Sequence, residues 1–166
     1  MFTLRQISEK YLEFNKDMYV CYIDFRKAFD SVWRDGLWQV MRHLGYPAKI
    51  IRLLEDLYAT TFSAVKVNGE PSDWFQTLVG VLQGCVLSPL LFNILLELVM
   101  ARAVYLDARG VVVSGNVINN LRFADDIAAT VENETDLQSI VTKISHEGSR
   151  LGLHINTDKT EVQCVS

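Results

Sequence analysis

Residues 116–124 and 127–131 are two strand-like runs with only Asp125 and Asp126 between them. So short a connection joins strands only as an antiparallel hairpin. The chain is therefore committed to a sheet with a turn that carries paired carboxylates. Upstream, the apolar and aromatic run YVCYI over residues 19–23 reads as a buried strand and ends in Asp24. A lone carboxylate after such a run is costly to bury without a cation. Two carboxylates on a tight turn and a third at a strand end form a donor set able to hold two divalent cations, which drive in-line attack on a phosphate. The acidic pair alone would equally suit a solvated turn, which Asp favours.

The rest of the chain supplies the frame. Residues 3–16 mix apolar and charged positions as a surface helix does. A second helix is expected near residues 37–44, stopped by Gly45, and a third runs from Pro47 through Tyr58. Asn68-Gly69 between residues 61–67 and 74–79 is a hairpin signal. Ser88-Pro89 opens a long helix to about Tyr105, with Pro in the first turn where it is tolerated. An amphipathic helix follows over residues 135–151, capped by Thr135 or by the Asn133-Glu134-Thr135 segment and closed by Gly152. Short strands are expected at 153–155 and 161–165. The fold class is α+β, an antiparallel sheet with helices packed on one face. Such a sheet would bring Asp24 to the hairpin tip.

Charge and cysteine usage bound the partners. The net charge is −4, and residues 81–166 carry all of the excess. No basic stripe is present, so strong unaided binding to nucleic acid is not expected. The three cysteines are widely spaced, with no zinc spacing and no disulfide framework, which suits an intracellular setting, nucleus or cytoplasm. Cys21 and Cys164 read as core residues. No secretory signal is legible, and the apolar stretch 90–101, broken by Asn93 and Glu97, reads as a buried helix rather than a membrane span.

Four segments in order resemble the reverse transcriptases of non-LTR retrotransposons. They are YIDFRKAFDSV (22–32), GVLQGCVLSPLLFN (80–93), FADD (123–126) and GLHINTDKT (152–160). Together they cover nearly the whole chain. Leu82 stands where this group usually has Arg, and Val86 where Pro is frequent. The resemblance implies a polymerase palm-like fold: one palm domain, 1–166, without the fingers and thumb that flank it in the family.

It also implies roles. Asp24, Asp125 and Asp126 would be the catalytic and metal-binding carboxylates, with Asp24 and Asp125 direct ligands of two Mg2+ (or Mn2+) ions and the Phe25 carbonyl a further ligand. Phe29 would lie under the incoming sugar, and Gln83 and Gly84 would line the nucleotide pocket. Lys159 would protonate the leaving pyrophosphate, and Phe123 would touch the primer end. The implied partners are an RNA template, a DNA primer and deoxynucleoside triphosphates, with no membrane.

Each residue also has a plainer reading. Phe29 serves equally well as a core aromatic, Lys159 as a surface lysine, Asp30 as a helix cap and Gln83-Gly84 as a loop before a helix. Two rival functions follow: a non-catalytic remnant of such a polymerase, or a nucleic-acid-binding α+β module. The latter needs exposed aromatic and basic residues on a sheet face.

Overall fold

The computed structural model describes residues 2–105 and 109–166. In chain order the elements are α1 (Phe2–Glu13), β1 (Met18–Ile23), a 3-10 turn (Ala28–Ser31), α2 (Arg34–His43), α3 (Ala48–Ala59), β2 (Phe62–Ser63), β3 (Lys66–Val67), β4 (Glu70–Pro71), β5 (Phe75–Gln76) and α4 (Ser88–Met100). A π-helical turn (Ala101–Tyr105), β6 (Val111–Val113), β7 (Asn116–Ile118), β8 (Asn120–Phe123), β9 (Asp126–Val131), α5 (Glu134–Ser149) and β10 (Glu161–Val165) complete it.

The main sheet has the order β10-β1-β9-β8 and is antiparallel throughout. Side chains alternate along each strand. Cys21 and Ile23 on β1, with Ile127, Ala129 and Val131 on β9, face a core built with α2, α4 and α5, where Phe92, Leu95, Val99, Ile140 and Ile144 are fully buried. Each such side chain contributes about 1.5–3 kcal/mol when taken from water. This is the expected helical layer on one face of an antiparallel sheet.

The opposite face, with Met18 and Val20, is covered by α1 through Leu4, Ile7 and Tyr11. These three recur at the spacing of one helix stripe. Tyr11 locks the contact: its hydroxyl donates to Glu132 (2.6 Å) and accepts from the Val112 amide (2.8 Å). Burial and the hydrogen bond to Glu132 raise its phenol to about 12.

Most other expectations hold. Asn68-Gly69 turns a hairpin with Lys66 opposite Pro71, and Phe62 pairs with Gln76 further out. Ser88–Tyr105 is long and apolar enough to cross a membrane by length and composition, yet 61% of it is buried inside the protein, as in a core helix.

Other details differ. The expected strand over residues 116–124 is split: Asn116–Ile118 pairs with Val111–Val113 in a separate hairpin, and only Asn120–Phe123 joins the main sheet. The cap of α5 is Asn133, whose side chain accepts from the Asp136 amide (2.9 Å), not Thr135; both residue types cap well, and the position one residue before Glu134 decides. The strand over residues 153–155 shrinks to a single bridge, Phe25 to Ile155. Cys164 is exposed rather than core, because β10 is the edge strand and exposed along most of its length. Asp30 lies within the 3-10 turn rather than capping a helix.

Candidate active site

The hairpin tip and the end of β1 meet because of the β1–β9 register. The ladder ends where Ile23 pairs with Ile127, leaving Asp24 and Asp126 each one residue beyond it at the same end. Asp24 and Asp126 line one cavity together with Tyr22 and Ala128. On the other side of β9, Phe123 pairs with Asp126, so the turn consists of Ala124 and Asp125. Ala124 is left-handed (φ 54), a conformation costing about 1–2 kcal/mol outside glycine. It is the kind of strained residue that functional turns retain. Arg122 anchors the outer strand, pairing with Glu97 of α4 (3.1 Å) and lying over the Tyr105 ring (5.7 Å).

Two cavities flank Asp24. One, of about 690 Å³, is lined by Asp24, Asp125, Phe25, Asn156 and Lys159 among others. The second, of about 520 Å³, is lined by Asp24, Asp126, Phe123 and Lys159, with Leu4 of α1 at its edge. Asp24 and Lys159 therefore belong to both, and each cavity pairs Asp24 with one member of the Asp125-Asp126 pair. Asp24 and Asp125 are half-buried, Asp126 and Lys159 are exposed, and Phe123 is 84% exposed.

The segment 154–160 holds Asp24 from below. The Arg26 amide donates to the His154 carbonyl and the Asn156 amide to the Asp24 carbonyl, both at 2.8 Å. These bonds bracket the Phe25–Ile155 pair, so the carbonyl of Phe25 itself takes no part in that bridge, and Phe25 lines the cavity that also holds Asp125. Asn156 Nδ2 also donates to Asp24 Oδ2 (3.0 Å), and the Asp24 amide donates to Thr160 Oγ1 (3.4 Å). Asn156 and Thr160 were missed in the sequence because nothing in local periodicity shows which side chain reaches a residue so far upstream.

The donor chemistry fits hard cations. The available groups are carboxylate and carbonyl oxygens, which suit Mg2+ or Mn2+. Among the described residues no three His, Cys, Asp or Glu side chains form a preassembled metal cluster. Two carboxylates per cavity, one carbonyl and exogenous oxygens match the habit of Mg2+, which keeps waters and phosphate oxygens in its shell.

Phe29, Gln83 and Gly84 lie outside the two cavities. Phe29 is half-buried and stacks on Phe92 of α4 (4.9 Å between centroids). Gln83 is exposed, and its Nε2 donates to Asp30 Oδ1 (2.8 Å), while Gly84 is exposed at φ +82 with open space around it. Asp30 thus ties this segment to the turn that follows Asp24.

That turn is gripped from two sides. A Cβ on Gly80 would sit 2.7 Å from the Asp30 carbonyl oxygen, and one on Gly152 would sit 2.5 Å from that of Ser31; both glycines have positive φ. The Gly80 amide donates to the Val32 carbonyl (2.8 Å) and the Val81 amide to that of Phe29 (2.8 Å). Below them Arg34, only 7% exposed, donates to the carbonyls of Tyr58, Thr77, Val79 and Gly80 and to Thr61 Oγ1. No sequence signal marks an arginine for burial; five acceptors supplied by the fold satisfy it.

A family model described as reverse transcriptase (RNA-dependent DNA polymerase) matches residues 2–165. The Retrovirus-related Pol polyprotein from type-2 retrotransposable element R2DM of Drosophila melanogaster is 29% identical over 144 residues, which is 87% of this chain and 13% of that protein. The Pol polyprotein from type-1 retrotransposable element R2 of Nasonia vitripennis is 29% identical over 140 residues, 84% of this chain and 14% of that protein. The chain thus spans 13–14% of the length of these relatives. Apo telomerase from Candida tropicalis, truncated from its C-terminal domain, superposes with a TM-score of 0.72 at 19% identity, over 96% of this chain and 35% of that one. That likeness shows the fold.

Proposed function

This chain belongs to the reverse transcriptase family, of the non-LTR retrotransposon type, and we propose that it is a single palm domain that joins a deoxynucleotide to a primer 3′-hydroxyl against an RNA template, inside the cell where template and nucleotides reside. The observation that carries this reading is that Asp24 is shared by two adjoining cavities, one completed by Asp125 and the other by Asp126.

Asp24, Asp125 and the Phe25 carbonyl would hold the ions. Two Mg2+ (or Mn2+) ions, when bound, supply activation of the attacking oxygen and neutralisation of charge on the transferring phosphate and pyrophosphate. The protein's own share is placement and charge. Asp126, at the head of β9, adds negative charge at the tip and draws cations there. Phe123 offers an apolar ring beside that carboxylate, where a primer end would pack. Lys159 reaches both cavities and is placed to give a proton to the departing pyrophosphate. Phe29, stacked on Phe92, and Gln83, held by Asp30, lie outside both cavities and would meet only a nucleotide that extends beyond them.

The test is extension of a labelled oligo(dT) primer on poly(rA) with dTTP and Mg2+. The reading predicts products longer than the primer, dependent on divalent metal. No incorporation with either Mg2+ or Mn2+ would instead make the chain the non-catalytic palm that the sequence also allows.

A further inference from the structure

Asp24 is the shared carboxylate of the site, and one side chain determines how it points. Asn156 Nδ2 donates to Asp24 Oδ2 at 3.0 Å, and the Asn156 main chain grips the same residue through its amide, 2.8 Å from the Asp24 carbonyl. The orientation of the Asn156 amide is itself set: its Oδ1 accepts from the Asp158 amide at 3.3 Å, which turns Nδ2 toward Asp24. The Asn156 carbonyl accepts from the amides of Lys159 (3.2 Å) and Thr160 (2.9 Å). The turn is thereby closed, so Thr160 Oγ1 meets the Asp24 amide and Lys159 stands at both cavities. Among the described residues the other carboxylate oxygen, Oδ1, has no hydrogen-bond donor.

We propose that Asn156 is a positioning residue that fixes Asp24 through Oδ2 so that Oδ1 is presented to a divalent cation. The choice of an amide is what the chemistry asks for. A Lys or Arg at this place would neutralise the charge that attracts the cation, whereas a neutral donor fixes the carboxylate and leaves its charge intact. Partners of this kind, one bond removed from the ion, typically change metal affinity about 10–100-fold when removed. The inference rests on the reading of Asp24 as a metal ligand.

The experiment measures Mn2+ binding to the 166-residue chain by electron paramagnetic resonance of the free ion, with circular dichroism and thermal melting as controls. Asn156→Leu removes the donor at similar size. Asn156→Ser keeps an oxygen able to accept from the residue two positions on, preserving the turn, but is too short to reach Asp24. Both should weaken Mn2+ binding roughly tenfold or more, with the folded spectrum retained for Ser even if Leu destabilises the turn. A folded Asn156→Ser protein that binds Mn2+ as tightly as wild type overturns the inference. Asp24→Asn separates the two layers: loss of Mn2+ binding there with no effect of Asn156→Ser sinks only the positioning role. Wild-type affinity in Asp24→Asn sinks the underlying site as well.

Discussion

Asp125→Asn is expected to lower primer extension about a thousandfold or more while leaving the fold intact. Asn has the size of Asp and suits turns as readily, so the two-residue connection between β8 and β9 should persist. What disappears is one of the two half-buried carboxylates that share a cavity with Phe25 and Lys159. Metal-mediated stabilisation is worth several kcal/mol at the transition state, and ~4 kcal/mol corresponds to about a thousandfold in rate. Asp126→Asn should cost less, because Asp126 is exposed, heads β9 opposite Phe123 and lies in the other cavity. Steady-state extension rates for the two variants, with circular dichroism as a control, check this. Equal rates for Asp125→Asn and wild type would contradict it.

The second large effect is on stability. Gly152→Ala puts a methyl group 2.5 Å from the Ser31 carbonyl oxygen and 3.4 Å from the Trp33 nitrogen, at a residue with φ +87. The left-handed conformation costs about 1–2 kcal/mol with a side chain. Forcing backbone apart adds roughly 1–3 kcal/mol. In a chain of this length that sum corresponds to a fall in Tm of roughly 5–15 °C. Gly69→Ala is the matched control: φ is +95, but nothing lies within 4 Å, so only the conformational cost remains. A melt in which the two variants lose the same stability would mean that the grip on the 3-10 turn is loose. Because that turn (Ala28–Ser31) begins four residues after Asp24 and lines the same cavity through Ala28 and Ser31, Gly152→Ala should also depress extension beyond its effect on stability.

The parts legible in the sequence are those fixed by local chemistry. Asn68-Gly69 named its own turn, Ser88-Pro89 its helix start, and the two runs around Asp125-Asp126 their hairpin. Residues 19–23 marked a buried strand, but its neighbours and register came only with the fold. Even so, the turn fell one residue earlier than the acidic pair suggests, because Asp126 completes a strand pair with Phe123.

The parts that were not legible depend on encounters between distant segments. The stripe Leu4, Ile7 and Tyr11 shows that α1 buries one side, but not that it covers the sheet face away from the other helices. Arg34 carries a charge that ordinarily belongs at the surface, and only the carbonyls gathered by the fold make its burial possible. Asn156 sits in a polar turn like many others until the bridge between Phe25 and Ile155 brings it beneath Asp24. The chemistry-bearing carboxylates could be named from spacing and family likeness, but the residues that hold them in place could not.

The most direct measurement is anomalous scattering at the manganese edge from crystals of this chain grown with Mn2+. A peak is expected between the Asp24 and Asp125 carboxylates, with an oxygen from each at about 2.1 Å and the Phe25 carbonyl turned toward it. A peak elsewhere, or ordered Asp24 and Asp125 side chains that share no ion at saturating Mn2+, would contradict it.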